Sequence, residues 1–124
     1  MTTRAADAWL EHWRAGRRWR RRVELELERL GLSFAQWLVL DCIAALRRET
    51  NDAVSQLQVG QRLELNKSTI SQLMKRLDER ALIDRAPAYP TRENRIYLHG
   101  EGERLARQGR VIVEAVSKAV EVER

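Results

Sequence analysis

The sequence predicts a mostly α-helical fold carrying one small β-hairpin. Three observations lead there. Apolar residues recur at helical spacing in five segments, three of which open on a serine or asparagine suited to capping. Two short strand-like runs, Leu82–Arg85 and Arg95–Leu98, flank a polar loop that holds both prolines, Pro87 and Pro90. Six glycines in 124 residues leave few other breakers, and a 44% hydrophobic content fills one modest core, which excludes a collagenous, low-complexity or disordered chain.

The first segment, Thr3 to Leu30, reads as one long helix. Trp9, Trp13, Gly16, Arg20, Val23, Leu27 and Leu30 alternate four and three apart, a heptad stripe. Arg14, Arg17, Arg18, Arg21 and Arg22 fall on the other side, where they read as a solvated face rather than a DNA or membrane patch. Glu24, Glu26 and Glu28 supply counter-charges, not an acid/base pair. Gly31 is the expected left-handed cap. Ser33 and Gln36 form a capping box for a helix to about Glu49, rich in Trp37, Leu38, Leu40, Ile43, Ala44 and Leu46 and therefore central to the core. Thr50-Asn51-Asp52 is a turn.

Ser55 and Gln58 repeat the capping box and open a short helix to about Leu63. Asn66 caps a helix from Lys67 to Arg80 whose inner stripe is Ile70, Leu73, Met74 and Leu77. Its other face carries Ser68, Ser71, Gln72, Lys75 and Arg76. After the hairpin, the helical pattern resumes from Glu101 to the end, with Leu105, Gly109, Ile112, Val116 and Ala119 again four and three apart.

Charge and chemistry narrow the function. The net charge is +5, and its excess sits in two places: eight bases against five acids in residues 1–30, and seven against four in 67–95. A polyanion partner suits that balance. No stretch approaches the roughly 18 apolar residues of a membrane span, and no N-terminal run has the order of a signal peptide, so a soluble cytoplasmic domain without a membrane partner is expected. One cysteine makes no internal disulfide, and His12 and His99 lack ligand partners at metal spacing, so no metal or other cofactor is expected. Cys42 has no basic neighbour in sequence and reads as a small buried hydrophobe rather than a redox sensor. Gly100-x-Gly102 is too isolated for a phosphate loop. No nucleophile, base and orienter assemble, so an enzyme is not expected.

The segments 55–63 and 67–80, joined by about three residues, have helix-turn-helix dimensions, and a hairpin follows them. In such a motif the second helix enters the major groove and needs hydrogen-bonding side chains with a few charges. The outer face of 67–80 meets that need, and acids are absent from 65 to 77. A protein-docking module of the same shape is the alternative; it would want aromatic or aliphatic anchors on that face.

"LSFAQWLVL", "VSQLQVGQRLELNKSTISQLMKRLDERALIDR" and "RENRIYLHGEGERL" together resemble the MarR (multiple-antibiotic-resistance regulator) family of winged helix-turn-helix transcription factors, from about Leu32 to Leu105. The resemblance implies a homodimer on a pseudo-palindromic DNA operator, with a recognition helix drawing on Lys67, Ser68, Thr69, Ser71, Gln72, Lys75 and Arg76 and a wing drawing on Arg92 and Arg95. It also implies a repressor relieved by a small aromatic or anionic effector bound between the dimerisation part and the DNA-binding lobe. Trp37 and Trp13 are candidates to line such a pocket. The single domain of residues 1–124 then divides into dimerisation helices, 1–30 and 101–124, and a winged lobe, 33–98. Five positions depart from the family pattern. Pro90 stands where the family usually has an Asp that shapes the wing, Glu64 and Ala81 stand where turn glycines are common, and His99-Gly100 replaces a Thr-containing pair. The different turn residues predict differently built turns.

The heptad stripes favour the dimer independently. Trp9, Trp13, Val23 and Leu27 on the first helix, with Leu105, Ile112 and Val116 on the last, hold more apolar surface than helices leave in water. Packing of the two end helices on each other within one chain is the alternative, but a lobe of roughly 70 residues leaves little core for it. Gly16, Gly109 and Ala119 would let the helices approach closely.

Overall fold

The computed structural model describes residues 5–87 and 94–122. Helix α1 spans Ala5–Leu27, and Thr3, the expected start, lies outside the described residues. The last turn before Gly31 tightens into a 3-10 turn, Glu28–Leu30, and Gly31 closes it at φ 70° by donating its N–H to the Glu28 carbonyl. Helix α2, Phe34–Thr50, opens on the Ser33/Gln36 capping box with both of its hydrogen bonds formed. Val39, Leu40 and Ile43 are sealed from solvent, so α2 is the central strut of the core.

A two-residue strand, β1 (Val54–Ser55), precedes helix α3 (Gln56–Leu63), and the sequence reading had only a capping residue there. Helix α4 follows at Lys67–Glu79, then β2 (Ile83–Pro87), β3 (Asn94–Leu98) and helix α5 (Gly100–Val122). The sheet order is β1-β3-β2, all antiparallel. Ile96 pairs with Val54 on one side and Arg85 on the other, so the return strand of the hairpin is tied to the start of α3.

Helix α5 lies against both α1 and α2. The Trp19 indole N–H donates to Ser117 Oγ at 2.9 Å, and the Trp37 indole N–H donates to the Ala106 carbonyl at 3.2 Å. Phe34 stands edge-on to Trp19 at 5.3 Å and 6.0 Å from Trp37, an aromatic seam between the three helices. Gly109 permits this: a Cβ there would overlap the Trp37 ring. Gly102 likewise has no room for a Cβ because it lies on the Leu82 carbonyl, which explains that glycine by packing. A Cβ added at Gly16 would meet nothing within 4 Å among the described residues, so this glycine serves no close approach there.

The heptad stripes are corrected here. Val23, Leu27, Leu105 and Val116 are buried inside this one chain, where α1 and α5 pack together and on α2, and their surface is not available to a second chain. Ile112 is half-buried against the same core. Only the N-terminal part of the stripe stays open: Trp9 is 64% and Trp13 58% exposed. A heptad pattern records that a face is covered, not by which chain.

The two unusual turns are also corrected. Glu64 (φ 53°) and Ala81 (φ 57°) adopt the left-handed conformation that glycine takes at low cost. The turns are therefore built as glycine turns with the wrong residue in them. Glu64→Gly and Ala81→Gly are each expected to raise the unfolding free energy by about 0.5–1 kcal/mol, the strain relieved less the extra chain entropy of glycine. A shift of the urea midpoint to higher concentration at constant slope is the check.

Candidate nucleic-acid interface

The interface is built on α3 and α4. Ser55 and Gln58 cap α3 reciprocally, and the Asn66 side chain accepts the Thr69 N–H at 2.8 Å to start α4. Val59 from α3 and Ile70, Met74 and Leu77 from α4 are fully buried, which fixes the roll of α4 about its axis. Burying each such side chain contributes roughly 1.5–3 kcal/mol.

With that roll set, Lys67, Ser68, Ser71, Gln72, Lys75 and Arg76 are all exposed, at positions that line one face. Thr69 is the exception. It is half-buried, at the edge of that face. The nearest acid, Asp78, is paired with Arg85 of β2 at 2.9 Å, and the face is left basic. Arg80, beyond the end of α4, donates to Gln36 Oε1 at 3.0 Å and ties α4 to the start of α2. Arg62 makes two hydrogen bonds to Glu49, at 2.6 and 2.7 Å, pinning α3 to the end of α2; these bonds hold the Glu49 carboxyl below its ordinary range. The α3–α4 pair is thus anchored from both ends.

Of the two wing residues, Arg95 is exposed on β3, opposite Ala86 and Ser55. Arg92, with Pro90, Thr91 and Glu93, lies outside the described residues. Sequence reasoning missed Gln56, whose amide donates to Ser71 Oγ at 3.0 Å. Only its place at the first position of α3, beside the recognition face, could have drawn attention to it.

A cleft of about 380 Å³ opens between α2, β3 and α5. Its floor is apolar, with Ile43, Ile96 and Ala106, and its rim carries Arg47, Arg107 and Arg110 together with the acids Asp41 and Glu103. Arg47 lies over the Tyr97 ring at 5.8 Å and Arg110 is bonded to Asp41 at 2.9 Å, while Arg107 makes no ion pair with the described residues. Neither tryptophan proposed for a pocket lines this cleft. Trp37 is buried in the aromatic seam, and Trp13 borders a shallow groove on α1 beneath Arg17.

Cys42 is buried, and burial pushes its thiol up to about 11 from an ordinary 9.0. The folded state therefore keeps a proton that the unfolded state loses above 9.0, and folding stability falls as pH rises through that window. The stability advantage of the wild type over Cys42→Ala is expected to shrink as pH climbs from 9.0 toward 11, read by urea unfolding. An advantage constant across that range would refute this assignment.

The family model for the MarR family matches residues 30–92. The chain belongs to the MarR family. Proteins of this family are winged helix-turn-helix transcriptional regulators, not enzymes. The fold is shared with solved MarR-family structures at low identity. MepR from S. aureus in complex with DNA superposes with a TM-score of 0.82 at 15% identity, covering 99% of this chain and 86% of MepR. A Cys-to-Ser mutant of MarR from E. coli complexed with operator DNA gives 0.79 at 16%, covering 94% and 80%. CouR from Rhodococcus jostii, bound to p-coumaroyl-CoA, gives 0.73 at 28%, covering 90% and 75%. A comparison with curated proteins finds no match. Among the described residues of this MarR-family chain, no single helix is long and apolar enough to cross a membrane.

Proposed function

We propose that this MarR-family regulator is a cytoplasmic homodimer that binds a pseudo-palindromic duplex operator as a repressor, and that a small aromatic or anionic effector relieves binding. The observation that carries the DNA reading is the exposed, acid-free face of Lys67, Ser68, Ser71, Gln72, Lys75 and Arg76 on a helix whose roll is fixed by buried residues. Those side chains suit base edges and phosphates, whereas a protein-docking face would carry apolar anchors there. Gln72 has the donor and acceptor to read adenine, and Arg76 reaches guanine or phosphate. Residues 33–98 form the DNA-binding lobe in this reading, with Arg95 and Arg92 of the wing over the adjacent minor groove. Residues 1–30 and 101–124 supply the dimer contacts, concentrated at Trp9 and Trp13. The cleft between α2, β3 and α5 suits the effector, since its apolar floor meets a rim in which guanidinium groups outnumber the carboxylates of Asp41 and Glu103 where the two parts join. MepR and MarR were solved with DNA, and CouR with an acyl-CoA, which supports each half of the reading.

Selection of bound sequences from a random duplex pool, followed by affinity against salt, tests it. A two-fold symmetric consensus is expected. Lys75→Ala is expected to weaken all sequences alike and to reduce the salt slope by about one unit per subunit. No enrichment of any duplex, with a folded protein, would transfer the face to the docking alternative.

A further inference from the structure

Serine in the middle of a helix usually spends its hydroxyl proton on the carbonyl one turn back. Ser117 does so, donating to the Val113 carbonyl at 2.7 Å, and Thr50 does the same to Leu46 at 2.9 Å. Ser71 does not. Its Oγ accepts a hydrogen bond from the Gln56 amide at 3.0 Å, and its proton has no acceptor among the described residues. A hydroxyl has one proton and two lone pairs. When an amide N–H occupies a lone pair, the proton is directed away from that amide, and Ser71 itself is exposed on the outer face of α4.

We infer that Gln56 sets the hydrogen-bonding sense of Ser71, making it a donor that reads an acceptor on a base edge, and that Gln56 is thereby a specificity-determining positioning residue of the recognition surface. The inference rests on the operator reading above. In the major groove, acceptors are N7 and O6 of guanine, N7 of adenine and O4 of thymine; the donors are N4 of cytosine and N6 of adenine. A donor at Ser71 thus finds an acceptor on guanine, thymine or adenine N7 and disfavours cytosine at the edge it faces. The sense can be inverted without touching Ser71. Glutamate at position 56 only accepts, so it would claim the Ser71 proton and leave the hydroxyl oxygen to accept from the DNA. Lysine at 56 only donates and preserves the original sense.

The experiment measures affinity of the full chain for duplexes carrying each base pair in turn across the selected operator. Gln56→Glu, Gln56→Lys, Ser71→Ala and the double variant Gln56→Glu/Ser71→Ala are compared with wild type, each first checked for folding by circular dichroism. Gln56→Glu is expected to shift preference about tenfold, roughly one hydrogen bond, toward cytosine at the position where Ser71→Ala loses its preference. Gln56→Lys should keep the wild-type preference, and Gln56→Glu should leave preference unmoved in the Ser71→Ala background. A uniform loss of affinity in Gln56→Glu, or the same shift without Ser71, overturns the inference while leaving DNA binding intact. A wild-type chain that selects no duplex overturns the operator reading itself.

Discussion

Gly109→Ala is expected to destabilise the protein, although the same change in an unconstrained helix would help. Alanine exceeds glycine in helix propensity by about 1 kcal/mol. At position 109 the added methyl would overlap the Trp37 ring, which is buried, flanked by Phe34 and bonded to the Ala106 carbonyl. Moving that indole breaks the hydrogen bond and opens the aromatic seam among α1, α2 and α5. Overpacking of this kind costs typically 1–3 kcal/mol, and a stranded buried N–H adds about 1–3 more. The clash therefore outweighs propensity, for a net loss on the order of 2–4 kcal/mol. Gly60→Ala is the control. Its new methyl would meet Ile70 and the Leu65 carbonyl at an ordinary 3.5 Å, so propensity decides and the protein gains stability. Opposite signs of the urea-midpoint shift are the expected result; equal signs would refute the packing account of Gly109.

The double variant Trp9→Glu/Trp13→Glu is expected to yield folded monomers that bind the operator orders of magnitude more weakly. Both rings are exposed in the single chain, so charging them leaves its core untouched. In the proposed dimer they are the remaining open part of the apolar stripe. Buried interface tryptophans are typically worth 2 kcal/mol or more each, and a two-fold interface counts each substitution twice. Losing the partner also removes the second half-site. Sedimentation velocity at micromolar concentration, with operator affinity on the same samples, provides the check. Leu27→Glu separates the two roles of the stripe: Leu27 is fully buried within the chain, so that variant should unfold rather than dissociate. A wild-type chain sedimenting as a monomer, or a double variant that stays dimeric, would exclude this interface.

What was legible in the sequence follows the range of the interactions that determine it. The caps at Ser33, Ser55 and Asn66 were readable because a cap is settled within four residues, and all three formed as expected. The outer face of α4 was readable because its burial stripe has helical period, and Thr69, half-buried, falls at the edge of that stripe. β1 was not readable: two residues carry no periodicity, and its pairing with β3 spans the whole helix-turn-helix. The left-handed backbone at Glu64 and Ala81 was hidden because side-chain identity opposes it and the surrounding packing prevails. The pattern at Val23, Leu27, Leu105 and Val116 gave burial correctly but could not name the covering surface. Gly109 was rightly suspected of close approach, yet its neighbour, Trp37, lies far away in the chain.

The join between β3 and α5 is a single residue, His99, and its N–H is bonded to the Leu82 carbonyl at 3.0 Å, the same carbonyl on which Gly102 rests. This joint has no slack. Adding one residue there would turn everything downstream by about 100° of helical phase, swinging Leu105, Val113 and Val116 out of the core together. The phase of α5 is thus set at the root of the hairpin, on the sheet whose β1 strand leads into α3. Length at this point is under stricter constraint than the identity of the residue that fills it.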